Sequence, residues 1–485
     1  MSCVSHTPPP TVSPHPRRPR HPDLPCRTRK AIDVTSSALS LRVAIVGSGP
    51  AGIYAGNLLS TAVAEAGGEV TIDLFESLPA PYGLIRYGVS PDHPRIKGVI
   101  DSLHHMLHDG DIRFLGNIEV GRDIALDELR ERYHAVILAT GALRDAALPI
   151  PGIDLPGSYG AADFVAWYDG HPDVPRTWPL DQQSVAVIGN GNVALDVARV
   201  LAKRGEDMRT TDVPDNVLAG LESSAVTDVH VFGRRGPSGI KFTPIELREL
   251  GEVRDLDIIL DDDDFALDAD TVPASNQVKV MQRILNSWRE REVGQASRRL
   301  HLHFWHTPVA VLGHDRVTAV RFERTRPGAD GALQTTGEFR EYQVGALYRA
   351  IGYYGTQVEG APFDQARGVV PNAEGRVVGE TGLYATGWVK RGPVGLIGST
   401  KSDALETIGH VVDDAQAGLL TAPVAGDVLE LLASRGVVHT DWSGWLALDA
   451  HERALGENHE HRRERVKVVD RDEQVEIASS EVLAR

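Results

Sequence analysis

The chain has 485 residues, of which 42% are hydrophobic, so it is long and apolar enough for two or three domains with substantial cores. Its formal net charge of −17 argues against nucleic-acid binding by the protein as a whole. No apolar run reaches the length of a membrane span, so we expect no membrane insertion.

Residues 1–40 are rich in Pro, Ser, Thr and Arg and cannot form a core. Their prolines exclude the amphipathic helix of a mitochondrial presequence, and they contain no secretory apolar segment. We expect a disordered tail over 1–40 and a cytoplasmic protein.

The 2 cysteines, Cys3 and Cys26, both lie in this tail. The body of the chain therefore has no cysteine pair for disulfide chemistry and no thiolates for a zinc or iron–sulfur site. This excludes the disulfide reductases that use a cysteine pair beside a flavin. We expect no metal site, and any iron–sulfur cluster should belong to a partner.

A glycine-rich fingerprint, Gly47-Ser48-Gly49-Pro50-Ala51-Gly52, follows an apolar run and precedes a run with helical spacing. In such a fingerprint the first glycine permits a tight turn, the second lets a pyrophosphate approach the backbone, and the third allows close packing. The pyrophosphate lies at the helix N-terminus, where free N–H groups favour negative charge. A second fingerprint, Gly189-Asn190-Gly191-Asn192-Val193-Ala194, has the same context. One fingerprint is a weak signal, but two predict two dinucleotide sites.

The strands expected after the two fingerprint helices end in residues of opposite charge. The first, 70–75, ends at Glu76, whose carboxylate suits ribose hydroxyls and would repel a 2′-phosphate. The second, 229–232, leads to Arg234 and Arg235, whose forked donors suit a phosphate. An exposed turn with solvated charge is the less favoured interpretation of these arginines. The pattern predicts FAD at the first site and NADP(H) at the second.

Later segments indicate how the two halves are arranged. A buried strand over 135–142 contains Gly141, a Pro- and Gly-rich linker covers 149–157, and strands are expected at 300–304 and 317–322. The segment 382–388 is typical of the last strand of a flavin domain. We therefore predict an α/β fold of two Rossmann-like dinucleotide-binding domains, the second inserted in the first. The FAD-binding domain covers 41–143 and 353–485, and the NADP-binding domain covers 144–352.

Several blocks between residue 41 and about residue 410 form a specific pattern: 81–94, 116–121, 189–199, 233–237 with 246–249, and 387–395. In these blocks the chain resembles adrenodoxin reductase-type ferredoxin–NADP reductases. Glutamate synthase small subunits share the Gly-Leu-Ile-Arg-Tyr-Gly element but resemble the chain less at Pro91-Asp92-His93-Pro94 and at 390–393.

The resemblance implies contacts with both cofactors. The implied FAD contacts, with the glycine-rich loops included, are Gly47, Gly49, Pro50, Ala51, Gly52, Glu76, Leu84, Val120, Gly141, Trp388, Gly395, Leu396 and Ile397. The implied NADP(H) contacts are Asn190, Gly191, Asn192, Val193, Arg234, Arg235, Glu246 and Gly395.

The resemblance also places His93 and Glu249 near the reacting rings, as candidate catalytic residues. From the residues alone, His93 could cap a turn, Trp388 could be plain core, and a solvated helix face shared with Arg248 is favoured for Glu249.

The resemblance implies hydride transfer from NADPH to FAD, followed by release of single electrons to a small iron–sulfur ferredoxin. One alternative is an NADPH-oxidising flavin subunit of a larger enzyme, like the glutamate synthase small subunit, although the missing cluster cysteines argue against it. Another is a non-catalytic sensor that binds both cofactors. The family docks an acidic ferredoxin on a basic surface. Here the corresponding stretch, 278–291, mixes both charges and follows the acidic run 261–264, so a weaker or relocated docking patch is expected.

Overall fold

The computed structural model describes residues 39–268, 275–328, 332–395, 397–424 and 426–480. These described residues belong to one compact unit. The predicted disordered tail lies outside the described residues except for its last two positions, and a strand already begins at Ser40. In the described part of the chain, no helix combines the length and apolar character that a membrane crossing requires.

The strands run in chain order between residues 40 and 385. They are β1 Ser40–Val46, β2 Glu69–Phe75, β3 Ile112–Leu115, β4 Ala135–Leu138, β5 Arg144–Asp145, β6 Ser158–Gly160, β7 Ser184–Ile188, β8 Asp228–Phe232, β9 Leu256–Leu260, β10 Arg298–His303, β11 His306–Leu312, β12 Ala319–Pro327, β13 Leu333–Gln343, β14 Ala346–Arg349, β15 Tyr353–Tyr354, β16 Asn372–Ala373, β17 Arg376–Val377 and β18 Leu383–Ala385.

The α-helices alternate with these strands and continue beyond them. They are α1 Pro50–Glu65, α2 Leu84–Tyr87, α3 Pro94–Lys97, α4 Val99–His108, α5 Leu126–Arg132, α6 Ala161–Tyr168, α7 Asn192–Ala202, α8 Asp215–Glu222, α9 Pro244–Gly251, α10 Asp262–Ala266, α11 Asn276–Arg289, α12 Trp388–Arg391, α13 Ile397–Gln416, α14 Val428–Ser434, α15 Trp442–Asn458 and α16 Arg471–Ser480.

The first sheet has 7 strands in the order β16-β17-β18-β4-β1-β2-β3, and its central strands are parallel. Residues 43–46 are an unbroken, buried apolar run, as expected of a parallel strand that is covered on both faces. Helix α1 begins at Pro50, whose fixed φ suits the first helical position, and packs against α13. The strands of this sheet come from 40–138 and 372–385, on both sides of the second sheet in the sequence.

The second sheet has 6 parallel strands in the order β6-β14-β7-β8-β10-β9. One face packs against α7, α9 and α11, and the other is covered by the antiparallel sheet β11-β12-β13. The short pair β5 and β15 lies where the chain passes between the two large sheets. The predicted α/β fold with one dinucleotide-binding half inserted in the other is confirmed. The exact domain limits, 143/144 and 352/353, stay a prediction.

Two predicted strands are confirmed with shifted bounds. The predicted strand 300–304 is β10, and the predicted strand 317–322 overlaps the start of β12, which belongs to the separate three-stranded sheet. Period-2 patterns show that a strand is present but not which sheet it joins, because that depends on its long-range partners.

Buried charges fasten the C-terminal helices to the first half. The guanidinium of Arg86 and the carboxylate of Glu452 on α15 are 3% and 0% exposed, and two nitrogens bond two oxygens at 2.9 and 2.5 Å. Lys467 donates to the Arg86 carbonyl and to Asp169, which follows α6. The chain after α15 therefore closes over the 81–94 block.

Candidate active site

The first fingerprint forms a tight turn between β1 and α1. Gly47 has φ +106°, and a Cβ there would lie 2.6 Å from the Ala139 carbonyl oxygen. A Cβ on Gly52 would lie 1.9 Å from the Gly47 carbonyl oxygen. Gly49, in contrast, has no heavy atom within 4 Å of its Cβ position. Packing therefore requires the outer two glycines, while the middle one faces open space at a helix N-terminus.

The second fingerprint repeats this arrangement between β7 and α7. A Cβ on Gly189 would lie 2.2 Å from the Ala350 carbonyl oxygen and 3.1 Å from the Ala194 methyl carbon. The Cβ position of Gly191 again has nothing within 4 Å. Both turns leave room for a pyrophosphate at the N-terminus of the following helix, as the sequence predicts.

Glu76 follows β2 and is fixed beside the first turn. Its Oε2 accepts from the Ser48 amide at 2.9 Å and from the Ser48 hydroxyl at 2.8 Å. Its Oε1 accepts from the Leu78 amide and the Ser77 hydroxyl, both at 3.1 Å. A carboxylate offers about four acceptor positions, so a ribose hydroxyl would take the place of one of the two serine hydroxyls, which can rotate away. The carboxylate is 8% exposed and suits the hydroxyls of a bound ribose.

The remaining predicted FAD contacts lie on several loops. Gly83 is close to the first turn, since its Cβ would lie 3.1 Å from the Gly49 Cα, and Leu84 follows it. A Cβ on Gly387 would lie 2.6 Å from the Ala51 methyl carbon, which brings the half-buried Trp388 to the N-terminus of α1. The side chain of Trp388 is half-buried, and its contact with FAD stays a prediction.

The other predicted FAD contacts lie on further loops, and their contact with a bound FAD stays a prediction. Val120 is half-buried in the loop after β3, and Gly141, with φ +72°, has no heavy atom near its Cβ position. Gly395, with φ +89°, precedes α13, and its Cβ would lie 2.2 Å from the Ser399 hydroxyl. Leu396 lies outside the described residues, and of Ile397 the structure describes only the backbone.

Arg234 and Arg235 follow the C-terminal end of β8, where the sequence predicts a phosphate contact. Both side chains are exposed, and within the described residues neither guanidinium forms an ion pair. Their backbones are held in place: the Thr325 hydroxyl donates to the Arg234 carbonyl at 2.9 Å. The amide of Gly233 donates to the His303 carbonyl at 2.8 Å. Two unpaired cations therefore stand on a fixed turn at the expected position.

Asn190 and Asn192 position helix α9. The amide of Thr243 donates to the Asn192 Oδ1 at 2.9 Å, and Lys241 donates through its amide to the Asn190 carbonyl at 3.0 Å. Glu246 on α9 is 6% exposed, and its buried Oε2 has no hydrogen-bond partner within the described residues. Burial raises the pKa of this carboxyl. Buried polar atoms normally have a hydrogen-bond partner, so this oxygen beside the second fingerprint is suited to accept a hydrogen bond from a bound nucleotide.

His93 links the two halves of the molecule. Its Nδ1 lies 2.7 Å from the Glu249 Oε2 on α9, and its Nε2 lies 3.1 Å from the Asp196 Oδ1 on α7. The imidazole is 4% exposed, and the Glu249 carboxylate is 31% exposed. The solvated face favoured for Glu249 is therefore wrong, although its neighbour Arg248 is exposed.

The sequence analysis assigned no role to the residues around this pair. Arg199 bonds Asp92 with two nitrogens at 2.8 and 2.9 Å, and also lies 2.9 Å from Asp196. Lys203 bonds Asp92 at 2.5 Å. These cations hold the pKa of the Asp92 carboxyl well below its usual value, although burial acts in the opposite direction. The three- and four-residue spacing of the charges at 196, 199 and 203 indicates a charged helix face, but only the fold shows its partner.

Comparison with known proteins gives close matches over most of the chain. The pyridine nucleotide-disulphide oxidoreductase family matches residues 41–231. NADPH-ferredoxin reductase FprA of Mycobacterium tuberculosis is 38% identical over 450 residues, which cover 90% of this chain and 98% of that protein. Mitochondrial NADPH:adrenodoxin oxidoreductase of Homo sapiens is 40% identical over 458 residues, 90% and 91% of the two chains. The solved structure of Mycobacterium tuberculosis FprA in complex with NADPH has a TM-score of 0.85 at 37% identity, covering 90% of this chain and 99% of that one.

Proposed function

We propose, since this chain belongs to the family of NADPH-ferredoxin and NADPH:adrenodoxin reductases, that it passes electrons from NADPH through a bound FAD to a small iron–sulfur protein. One observation supports this proposal most strongly. Each fingerprint has a middle glycine with free space at its Cβ position, and an acidic residue accompanies the first fingerprint whereas two basic residues accompany the second. Gly49 stands next to the turn fixed by Glu76, and Gly191 belongs to the half that presents Arg234 and Arg235.

The residues present fit both cofactors. Around the first turn, a buried carboxylate and an open glycine suit the ribose and pyrophosphate of FAD. In the second half, two exposed guanidinium groups and the unpaired Glu246 oxygen suit NADP(H). When bound, the cofactors supply hydride transfer from NADPH to FAD and release of single electrons. The protein supplies their binding and orientation and keeps a proton-carrying side chain between its two halves.

That side chain is His93. It lies on the flavin-side block, and its two ring nitrogens face carboxylates on α7 and α9 of the other half. The ring can hold a proton at either nitrogen against a carboxylate oxygen. We propose that His93 and Glu249 fix the approach of the two halves at the reacting rings and hold this proton during electron transfer.

The iron–sulfur partner and its docking surface are part of this proposal. The relatives are named as reductases of ferredoxin and of adrenodoxin. On α11, Lys279 and Arg283 are exposed, whereas Arg289 is bonded to Asp262 at 2.5 Å. Two cations on this helix are therefore available to an acidic ferredoxin, and Arg289 is neutralised. A cytoplasmic location is also proposed and can be tested by cell fractionation.

Steady-state electron transfer tests the proposed function. The purified full-length protein should reduce cytochrome c with NADPH, and adding a [2Fe–2S] ferredoxin should increase the rate in proportion to its concentration. NADH at the same concentration is the matched control and should be a poor donor. A rate that ferredoxin does not change would contradict the assignment of the partner. If the protein does not oxidise NADPH at all, the proposed reductase activity is wrong and a non-catalytic protein that binds both cofactors is favoured.

Arg234→Ala should weaken NADPH binding by about 1.5–3 kcal/mol, the size of a hydrogen bond to a charged group, and leave NADH binding nearly unchanged. KM and Kd for the two nucleotides measure this selectivity. Arg316→Ala, at an exposed site of the same half, is the control and should change neither. Equal losses for both nucleotides would contradict the assignment of Arg234 to a 2′-phosphate.

His93→Gln should lower kcat about tenfold, since an amide has no ring nitrogen that holds a proton against Asp196 or Glu249, and one hydrogen bond to a charged group, about 1.5 kcal/mol, is lost. The flavin content and the Kd for NADPH should not change, because His93 forms neither proposed nucleotide site. Stopped-flow reduction of the flavin by NADPH separates these quantities. An unchanged reduction rate would contradict the role proposed for His93.

A further inference from the structure

Three histidines meet on one face of the second sheet, outside the proposed redox site. Each of these residues, His230, His301 and His303, offers one ring nitrogen as a ligand, and the three nitrogens lie within 4.8 Å of one another. The Nδ1 of His230 and the Nε2 of His303 are 3.0 Å apart. All three side chains are half-buried, so the cluster is shielded but not closed to solvent.

The strand geometry explains why these residues converge. His301 and His303 are two residues apart on β10, so they point to the same face of the sheet. His230 on β8 is directly paired with His301 in the parallel register. The expectation of no metal site rested on the absence of cysteine thiolates in the body of the chain. The His-x-His pair by itself offers only two ligands, and the third histidine is on a strand far away in the chain.

The cluster has an orienting carboxylate. Asp228, also on β8, lies 3.2 Å from the Nε2 of His301 and is bonded to Arg299 by two hydrogen bonds of 2.5 Å. The guanidinium of Arg299 donates to both oxygens of Asp228, so this carboxylate faces His301 as an acceptor. With its proton on Nε2 towards Asp228, His301 keeps the lone pair on Nδ1. A carboxylate that fixes the tautomer of a histidine is the usual outer partner of a metal-bound imidazole.

We propose that His230, His301 and His303 form a binding site for one zinc-class divalent transition-metal ion, with a fourth position open to water. Three imidazoles are the ligand set that suits Zn²⁺, whereas Mg²⁺ and Ca²⁺ require oxygen ligands. A tetrahedral ion with Zn–N bonds of about 2.0–2.1 Å needs nitrogens about 3.3 Å apart. The His230 and His303 nitrogens are already 3.0 Å apart, and the widest separation, at most 4.8 Å, has to shrink by up to about 1.5 Å. The rings are stacked nearly in parallel, so they also have to turn for their nitrogens to converge on one ion.

An ion at this position would join the ends of two strands that support the nucleotide turn. The His303 carbonyl accepts from the amide of Gly233, the residue before Arg234. The ring of His303 lies 4.7 Å from the ring of Tyr342 on the covering sheet. The bound ion would thus fasten β8, β10 and the start of the Arg234 turn to each other.

Zinc titration of the full-length protein with its flavin bound and without an affinity tag tests the proposal. After dialysis against a chelator, Zn²⁺ is added in competition with a chromogenic zinc indicator. We expect one ion per chain that is absent from His301→Gln or His303→Gln, with a loss of affinity of at least about 100-fold. Asp228→Asn should weaken binding by about 10–100-fold, as expected of an outer partner. His105→Gln, at a side chain that is 74% exposed on α4, is the matched control and should bind zinc like the unchanged protein.

Flavin content shows that each variant is folded. If the cluster variants do not fold, X-ray absorption of the zinc-loaded unchanged protein decides the question. Nitrogen neighbours at about 2.0–2.1 Å with imidazole scattering would support the site, and sulfur neighbours at about 2.3 Å would assign the ion to the tail cysteines and overturn it. Zinc binding that is equal in the unchanged protein and the cluster variants, or no binding at all, would also overturn it.

Discussion

Gly49→Ala is expected to leave the chain folded and to abolish tight binding of FAD, and Gly191→Ala to leave the flavin in place and abolish binding of NADPH. The Cβ position at each glycine meets no heavy atom of the protein within 4 Å, so the methyl group costs the fold little. The same methyl group would occupy the space where a pyrophosphate approaches the backbone. Crowding and the loss of charged hydrogen bonds together should cost about 3 kcal/mol or more, at least about 100-fold in affinity.

Flavin absorbance after gel filtration measures the first loss, and titration with NADPH measures the second. Gly409→Ala is the matched control, because Gly409 lies within α13, away from both fingerprints, and also has nothing within 4 Å of its Cβ position. It should keep both cofactors. A Gly49→Ala protein that retains its flavin at full occupancy would show that FAD does not use the first turn.

Glu452→Gln is expected to lower the free energy of unfolding by about 3–5 kcal/mol, because it leaves the guanidinium of Arg86 buried without its counter-charge. Both partners are almost fully buried, at 3% and 0% exposure, so water cannot compensate for the lost charge. Glu452 also accepts from the Val468 amide at 3.0 Å, and glutamine can keep that bond. The effect should therefore come from the charge and not from the shape.

The midpoint of urea unfolding of the flavin-bound protein measures this loss. Glu222→Gln, which breaks the exposed pair with Arg209, is the matched control and should cost about 0–1 kcal/mol. If the two variants unfold at the same urea concentration, then the Arg86–Glu452 pair does not hold the C-terminal helices.

The fold class and both nucleotide turns follow from the sequence because their signals are local. A fingerprint places strand, glycines and helix within about 20 residues, and the charge at the end of the next strand distinguishes Glu76 from Arg234. The same local reasoning placed the second half inside the first, since the strand 383–385 repeats the pattern of a flavin-domain strand.

What the sequence does not predict depends on docking between distant segments. Nothing near Glu249 indicates that its carboxylate meets His93, and nothing near Arg86 indicates a partner on α15. The histidine cluster likewise exists only because β8 and β10 pair in register. Hydrophobic periodicity locates each strand or helix but carries no information about which charged side chains face each other across the assembled core.

The central claim is that one chain holds a flavin in its first half and receives electrons from a 2′-phosphorylated nicotinamide nucleotide in its second. Anaerobic mixing of the purified protein with NADPH, followed by its visible absorption spectrum, tests this most directly. We expect a yellow protein whose flavin band is bleached by one equivalent of NADPH and far more slowly by NADH. A folded protein that is colourless and takes up no added FAD, or a bound flavin that NADPH does not bleach, would contradict it.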